Sequence, residues 1–306
     1  GVNKQTSGEK IWVQKFFETK KVDFSACWLK KGADLVSSSD AIAAFVITNS
    51  VTQGEQVSLI WPRILSDKVR IAFARPSIKW TGRLDTRSST GVSVVVIGIG
   101  KIDQSKARFY GNEGPQSVSS IGPYLVPNIE QTVIGRTNQI SNLPRMAKGN
   151  MAFAESLVFD QTGFETIIAA DSNATRFIKK LVGAKEIAKS SHRYCIWIPT
   201  EGEWSEAKRI SSIKKRVEQS RASRETSTNK SLALTPWRFR EITETKTSTL
   251  VIPSVTSESR DYIPIGFVGP ETIVSNLAFA VYEAPDWLFA LLTSRTHMTW
   301  LRLVSG

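Results

Sequence analysis

The chain has 306 residues, 41% hydrophobic and 22% charged, enough to bury a sizeable core in one large domain or two ordinary ones. Forty Lys and Arg against 28 Asp and Glu give a formal net charge of +12, which gives weight to a polyanionic partner. Two cysteines, Cys27 and Cys195, and two histidines, His192 and His297, exclude a disulfide scaffold and a four-ligand zinc site, and they fit a reducing cytoplasm.

The start, Gly1-Val2-Asn3-Lys4, has neither a Met nor a signal-peptide core, and it reads as a piece of something longer. Ile11, Val13, Phe16 and Phe17 open an amphipathic segment. A continuous apolar run over 41–47 ends at Thr48-Asn49-Ser50, and Ser50 is expected to cap a helix carrying Val51, Val57, Leu59, Ile60 and Trp61. Strands are expected at 69–74 and 92–99. No helix pattern lies between them, so they are expected to pair antiparallel at a sheet edge through a loop over 77–91. Short β-branched runs with one helix among them indicate an α/β domain whose sheet is buried on both faces. Residues 103–120 are polar and Gly-rich and make the best domain boundary.

Beyond that boundary the pattern is α+β. A helix is expected at 174–182, a strand at 193–198 stopped by Pro199, short strands near 249–253 and 262–265, and a final helix over 287–304. The run 277–292 is broken by Glu283, Pro285 and Asp286, so neither it nor 92–99 can span a bilayer; no membrane partner is expected.

Three features bear on chemistry. Gly98-Ile99-Gly100-Lys101 follows a strand but lacks a third glycine, and reads as a strand end rather than a phosphate loop. A long basic helix over about 205–223 has a thin apolar stripe of Ile210, Ile213 and Val217, with Lys208, Arg209, Lys214, Lys215, Arg216, Arg221 and Arg224 around it. Such a helix can dock by its stripe and leave cations for phosphates. Equally, it can be a solvated face whose charge Glu206, Glu218 and Glu225 offset in part. Trp80, with Lys79 before it, ends a strand; an exposed aromatic there can stack on an extruded base, while a core or lid tryptophan is the alternative among the nine present.

Several segments occur together in one order: Thr48-Asn49-Ser50-Val51-Thr52-Gln53-Gly54 with Ile60-Trp61-Pro62, then Ile71-Ala72-Phe73-Ala74 with Lys79-Trp80 and the 92–98 strand. Arg193-Tyr194-Cys195-Ile196-Trp197-Ile198, residues 216–221, Leu234-Thr235-Pro236-Trp237, Arg260-Asp261-Tyr262-Ile263-Pro264-Ile265-Gly266-Phe267 and Thr293-Ser294-Arg295-Thr296-His297-Met298-Thr299-Trp300 follow. From about residue 40 to the end, the chain resembles the MmeI-like (type IIL) restriction–modification methyltransferases and their phage-defence relatives. It departs from them at Thr81-Gly82-Arg83, where the family often has Asn-Glu-Ala, and around Gly149-Asn150-Met151-Ala152.

The resemblance implies methyl transfer from S-adenosylmethionine to the exocyclic amine of a flipped adenine in duplex DNA, without a metal. It implies a partial Rossmann-like methyltransferase sheet over 1–105 and an α+β target-recognition domain over 106–306. The family's Gly-rich cofactor loop and Asn-Pro-Pro-aromatic motif are not among these residues and are expected upstream of Gly1, so the chain is not expected to bind the cofactor by itself. Trp80 falls where relatives stack an aromatic on the flipped base. Lys79, Arg260 and the seven cations of 208–224 are the expected DNA contacts. The partners implied are double-stranded DNA and the upstream part of the same methyltransferase. The alternatives are a non-catalytic DNA-binding specificity module and a protein-interaction domain with an incidental basic face.

Overall fold

The computed structural model describes residues 2–80, 92–102, 106–136, 138–139, 141–257 and 260–305. They fall into two compact units, one of Gly1–Asn138 with Thr299–Gly306, the other of Gln139–Met298. Each mixes helices with sheets, so the fold is α/β.

The first unit opens with α1 (Ser7–Phe17), closed at its start by a capping box in which Thr6 and Glu9 exchange hydrogen bonds. α2 (Ala26–Val36) follows, then β1 (Ile42–Thr48), α3 (Gly54–Ile60), β2 (Val69–Trp80), β3 (Val92–Lys101), β4 (Ala107–Gly111) and β5 (Gly114–Val118). The sheet order is β1-β3-β2-β4-β5, antiparallel except between β2 and β4. β3 lies inside the sheet, and Val95, Ile97 and Ile99 on it are completely buried. Two glycines set the packing. A Cβ on Gly32 would lie 2.6 Å from the Phe45 ring, and one on Gly98 would lie 2.1 Å from the Phe73 ring.

The second unit contains two four-stranded sheets. β6 (Ala147–Lys148), β10 (Thr249–Pro253), β11 (Gly266–Val268) and β13 (Ala278–Tyr282) make one, in the order β11-β10-β13-β6. β7 (Val158–Phe159), β8 (Ile178–Val182), β9 (Arg193–Ile196) and β12 (Thr272–Val274) make the other, in the order β12-β8-β9-β7. Helices α4 (Gln161–Ala170), α5 (Ala184–Ala188), α6 (Glu201–Ala207), α7 (Ser211–Glu225) and α8 (Asp286–Leu292) complete the unit, and α9 (Arg295–Ser305) closes the chain. Asn150 is 1% exposed and ties its own segment to two others: its Nδ2 donates to the carbonyls of Thr243 (2.8 Å) and of Val274 in β12 (3.3 Å), and its Oδ1 accepts from the Thr243 amide (2.8 Å). A Cβ on the preceding Gly149 would lie 2.4 Å from the Ser275 carbonyl oxygen, so this close approach requires glycine.

Several expectations are corrected. β2 and β3 do pair antiparallel, but inside the sheet rather than at its edge, because β1 and β4 cover their outer sides. Strand β2 runs on through 77–80, and the register shift between Arg75 and Ile78 absorbs Pro76, which has no N–H for the ladder. The rest of the expected loop, 81–91, lies outside the described residues, as do the Thr81-Gly82-Arg83 departure and residues 103–105. Ser50 caps no helix: its hydroxyl lies 3.0 Å from that of Thr48, in a 3-10 turn that precedes α3. Residues 107–118, read as polar linker, form the β4–β5 hairpin.

The helix expected at 174–182 is a 3-10 turn followed by β8, since pairing with β9 and β12 overrides the local pattern. The strand expected at 262–265 begins instead at Gly266. The two long helices are each broken in two. Ile210 takes an extended conformation between α6 and α7. Between α8 and α9, the Thr293 hydroxyl donates back to the Phe289 carbonyl.

The Phe73 ring over Gly98 gives a direct test. Gly98→Val is expected to lower unfolding free energy by about 2 kcal/mol through overpacking, read as a fall in the urea midpoint. An unchanged midpoint would contradict this packing.

Candidate nucleic-acid interface

The basic segment shows how one helix sorts its charges. The stripe that α7 buries is Ile213, Val217, Ser220 and Arg224, three or four residues apart. Ser220 donates to the Pro236 carbonyl at 2.7 Å. Arg224 is 1% exposed, and its guanidinium donates to four carbonyls: Leu232 (3.1 Å), Thr235 (2.9 Å), Ala152 (2.7 Å) and Arg238 (2.9 Å). Burial pulls its pKa below the usual arginine value. Arg224 therefore leaves the set of cations expected to meet phosphate. Its charge is held inside by carbonyl dipoles.

Arg216 is half-buried on one flank of that stripe. Its Nη1 donates to the Ser156 carbonyl at 3.0 Å, and the guanidinium lies 4.7 Å from the centre of the Phe159 ring. Burial lowers its pKa while Asp160 acts in the opposite sense. Arg216 lines a groove of about 1070 Å³. Phe153, Phe159 and Phe239 supply aromatic surface to the groove, and Gln219 and Ser223 continue the α7 wall. Arg193, also in the lining, is held 2.9 Å from the buried Glu186 carboxylate. Sequence reasoning missed this groove because its walls come from segments around 150–163, 181–193, 216–223, 239 and 275–277. No local signal joins them.

The remaining cations are exposed and do not form one face. Lys214 lies 3.9 Å from Glu218, and Arg221 falls on the same helix row as Glu218 and Glu225 by its three- and four-residue spacing. That row is a mixed-charge surface. Lys208, Arg209, Lys214 and Lys215 flank the start of α7 in the chain, Lys214 belonging also to the mixed-charge row. Ile210 supplies no side-chain cap there, so the first amides of α7 and the positive end of the helix dipole add to the four cations. This is the strongest arrangement for phosphate oxygens on α7.

Lys79 and Trp80 close β2 in the first unit, where Trp80 is 58% exposed and pairs in register with Val92. Arg260 is exposed in the second unit. Gly98 and Gly100 lie within the sheet, Gly98 beneath the Phe73 ring, and they form no phosphate loop. Cys195 is buried, and burial pushes its thiol up to about 12, so it takes no nucleophilic part. His192 contacts the Tyr194 hydroxyl at 3.2 Å. Among the described residues no cluster of His, Cys, Asp and Glu could hold a metal, and no helix is long and apolar enough to cross a membrane.

Two family models match the chain: "MmeI, DNA-methyltransferase domain" over residues 1–111 and "MmeI, target recognition domain" over residues 127–306. The chain belongs to the MmeI family. It is 38% identical over 292 residues to DNA methyltransferase A of Bacillus subtilis (strain 168), a match that covers 94% of this chain and 33% of that protein. It also matches a solved structure of MmeI, a type IIL restriction–modification enzyme in complex with DNA, with a TM-score of 0.88 and 31% identity over 100% of this chain and 42% of that one. The chain thus spans well under half the length of these MmeI-family proteins.

The two kinds of arginine and lysine on α7 separate in a measurement. Arg224→Met is expected to cost about 3 kcal/mol by stripping four partly buried carbonyls of their donor. Lys215→Ala is expected to stay within about 0.5 kcal/mol of the wild type. Chemical denaturation reads both, and equal effects would contradict the assignment of Arg224 to the core.

Proposed function

We propose that the parent protein transfers a methyl group from S-adenosylmethionine to the N6 amine of adenine in duplex DNA, and that this chain supplies a wall of the base pocket and the sequence readout. The observation that carries the reading is the succession of a methyltransferase-domain match and a target-recognition match along one chain that aligns over its full length with a DNA-bound relative. The four cations at the start of α7 support duplex binding by their exposure and their place at a helix N-terminus. Lys79, Arg260, Arg216 and Arg221 are further contacts in this reading.

Trp80 offers an exposed indole face to a base extruded from the stack. The methyl donor supplies an electrophilic carbon when bound. This chain's described residues do not fit a cradle for it: the glycines of β3 are consumed in sheet packing, with Phe73 over Gly98. Donor binding and the groups that grip the target amine are therefore assigned to the remainder of the parent polypeptide, which is the chain's other partner.

Incubating the full-length parent with duplex DNA and a methyl-labelled donor, then digesting to nucleosides, is expected to yield labelled N6-methyladenine. Label on cytosine alone, or none with donor and target DNA present, would overturn the proposal. Trp80→Ala is expected to lower kcat/KM about 10-fold or more, from the loss of one base–aromatic stack, with Trp80→Phe recovering most of it. An unchanged Trp80→Ala rate would remove Trp80 from the pocket.

A further inference from the structure

Helices α1 and α2 carry apolar side chains on two sides. Val13 and Phe17 of α1, and Ala26, Leu29, Ala33 and Val36 of α2, are buried in the core. On the outside, Ile11 is 69% exposed, Trp12 45%, Trp28 57% and Leu35 68%. Trp28, Lys31 and Leu35 share one row of α2 by their three- and four-residue spacing, and Trp12 and Lys15 are neighbours on α1. A helix apolar on both sides is one that packs on both sides.

Lys31 joins the two helices. Its Nζ lies 5.2 Å from the Trp12 ring centre and 5.4 Å from that of Trp28, and Lys15 Nζ lies 5.1 Å from Trp12. Neighbouring charges are compensated: Lys30 pairs with Asp34, and Arg63 with Glu18 at 2.6 Å. Among the described residues no carboxylate pairs with Lys15 or Lys31. The face therefore combines two indoles, two aliphatic side chains and two uncompensated ammonium groups.

We propose that this face of α1 and α2 docks an acidic amphipathic segment supplied by the remainder of the parent polypeptide. The inference rests on the reading that this chain is part of a longer methyltransferase. The chain spans 33% and 42% of the two relatives it matches, so most of such a polypeptide is available to cover the face. Charge complementarity selects the chemistry. Carboxylates answer Lys15 and Lys31, apolar side chains answer Ile11 and Leu35, and tryptophans are the residues that most often dominate such contacts. Nucleic acid fits less well, because bases would need the indole faces that Lys15 and Lys31 already occupy.

Lysine acetylation read by mass spectrometry tests this, on the full-length parent and on the 306-residue chain, each with and without duplex DNA. Exposed Lys20 serves as the internal reference. Lys15 and Lys31 are expected to label at least ~10-fold more slowly in DNA-free parent than in the chain, in line with a well-packed contact. Equal rates would overturn the proposal, and so would protection that appears only with DNA. Lys31→Glu in the parent is expected to abolish protection of Lys15; retained protection would overturn the acidic character of the segment. Methyl transfer measured on the same parent sample separates the two readings, since an active parent with unprotected lysines defeats the docking surface alone.

Discussion

The guanidinium of Arg224 sits where three stretches distant in sequence meet: α7, the loop through Ala152, and residues 232–238. A buried cation is stabilised by the acceptors its donors reach. Here four carbonyl oxygens accept from the two terminal nitrogens, while Nε has no hydrogen-bond partner among the described residues, and those carbonyls gain partners they would lack away from water. This one network fixes the rotation of α7 about its axis. With Ile213, Val217 and Ser220 on the same inward row, Arg216 must face the groove and Lys214 and Lys215 must face solvent in the first turns of the helix, which Lys208 and Arg209 precede in the chain.

The second anchor of the recognition unit is Asn150, whose side chain binds the Thr243 backbone in both directions. Together Arg224 and Asn150 hold both ends of the 150–152 segment, which forms part of the groove wall. The proposed DNA-reading role calls for side chains presented on rigid supports, and this unit contains such supports in backbone-directed polar networks as well as apolar packing. The first unit works differently. Its sheet is ordered by close approach at Gly32 and Gly98, and it leaves Trp80 exposed at the end of β2.

Much of this was legible in the sequence. The apolar runs of β1, β3 and β10 announce themselves, and the ordered series of segments from residue 48 to residue 300 points to the MmeI-like family on residue identity alone. Other features were hidden for physical reasons. Ile178 and Leu181 suit a helix locally, yet pairing with β9 and β12 makes them strand. Arg224 is indistinguishable from Arg221 by residue type. Only the carbonyls brought from 152 and 232–238 decide that one is buried while the other stays in solvent. The breaks at Ile210 and Thr293 come from an extended backbone and a hydroxyl bonded to its own helix, neither marked by Gly or Pro.

The central claim is that the start of α7, rather than the helix as a whole, meets the DNA backbone. The salt dependence of duplex binding by the 306-residue chain tests it most directly. Replacing Lys208, Arg209, Lys214 and Lys215 with alanine is expected to flatten the slope of log Kobs against log salt by about 3 to 4, close to one for each phosphate that is no longer neutralised. Loss of Arg221 alone is expected to change it by roughly half a unit or less, since Glu218 and Glu225 share its helix row. An unchanged slope in the fourfold variant would contradict the account.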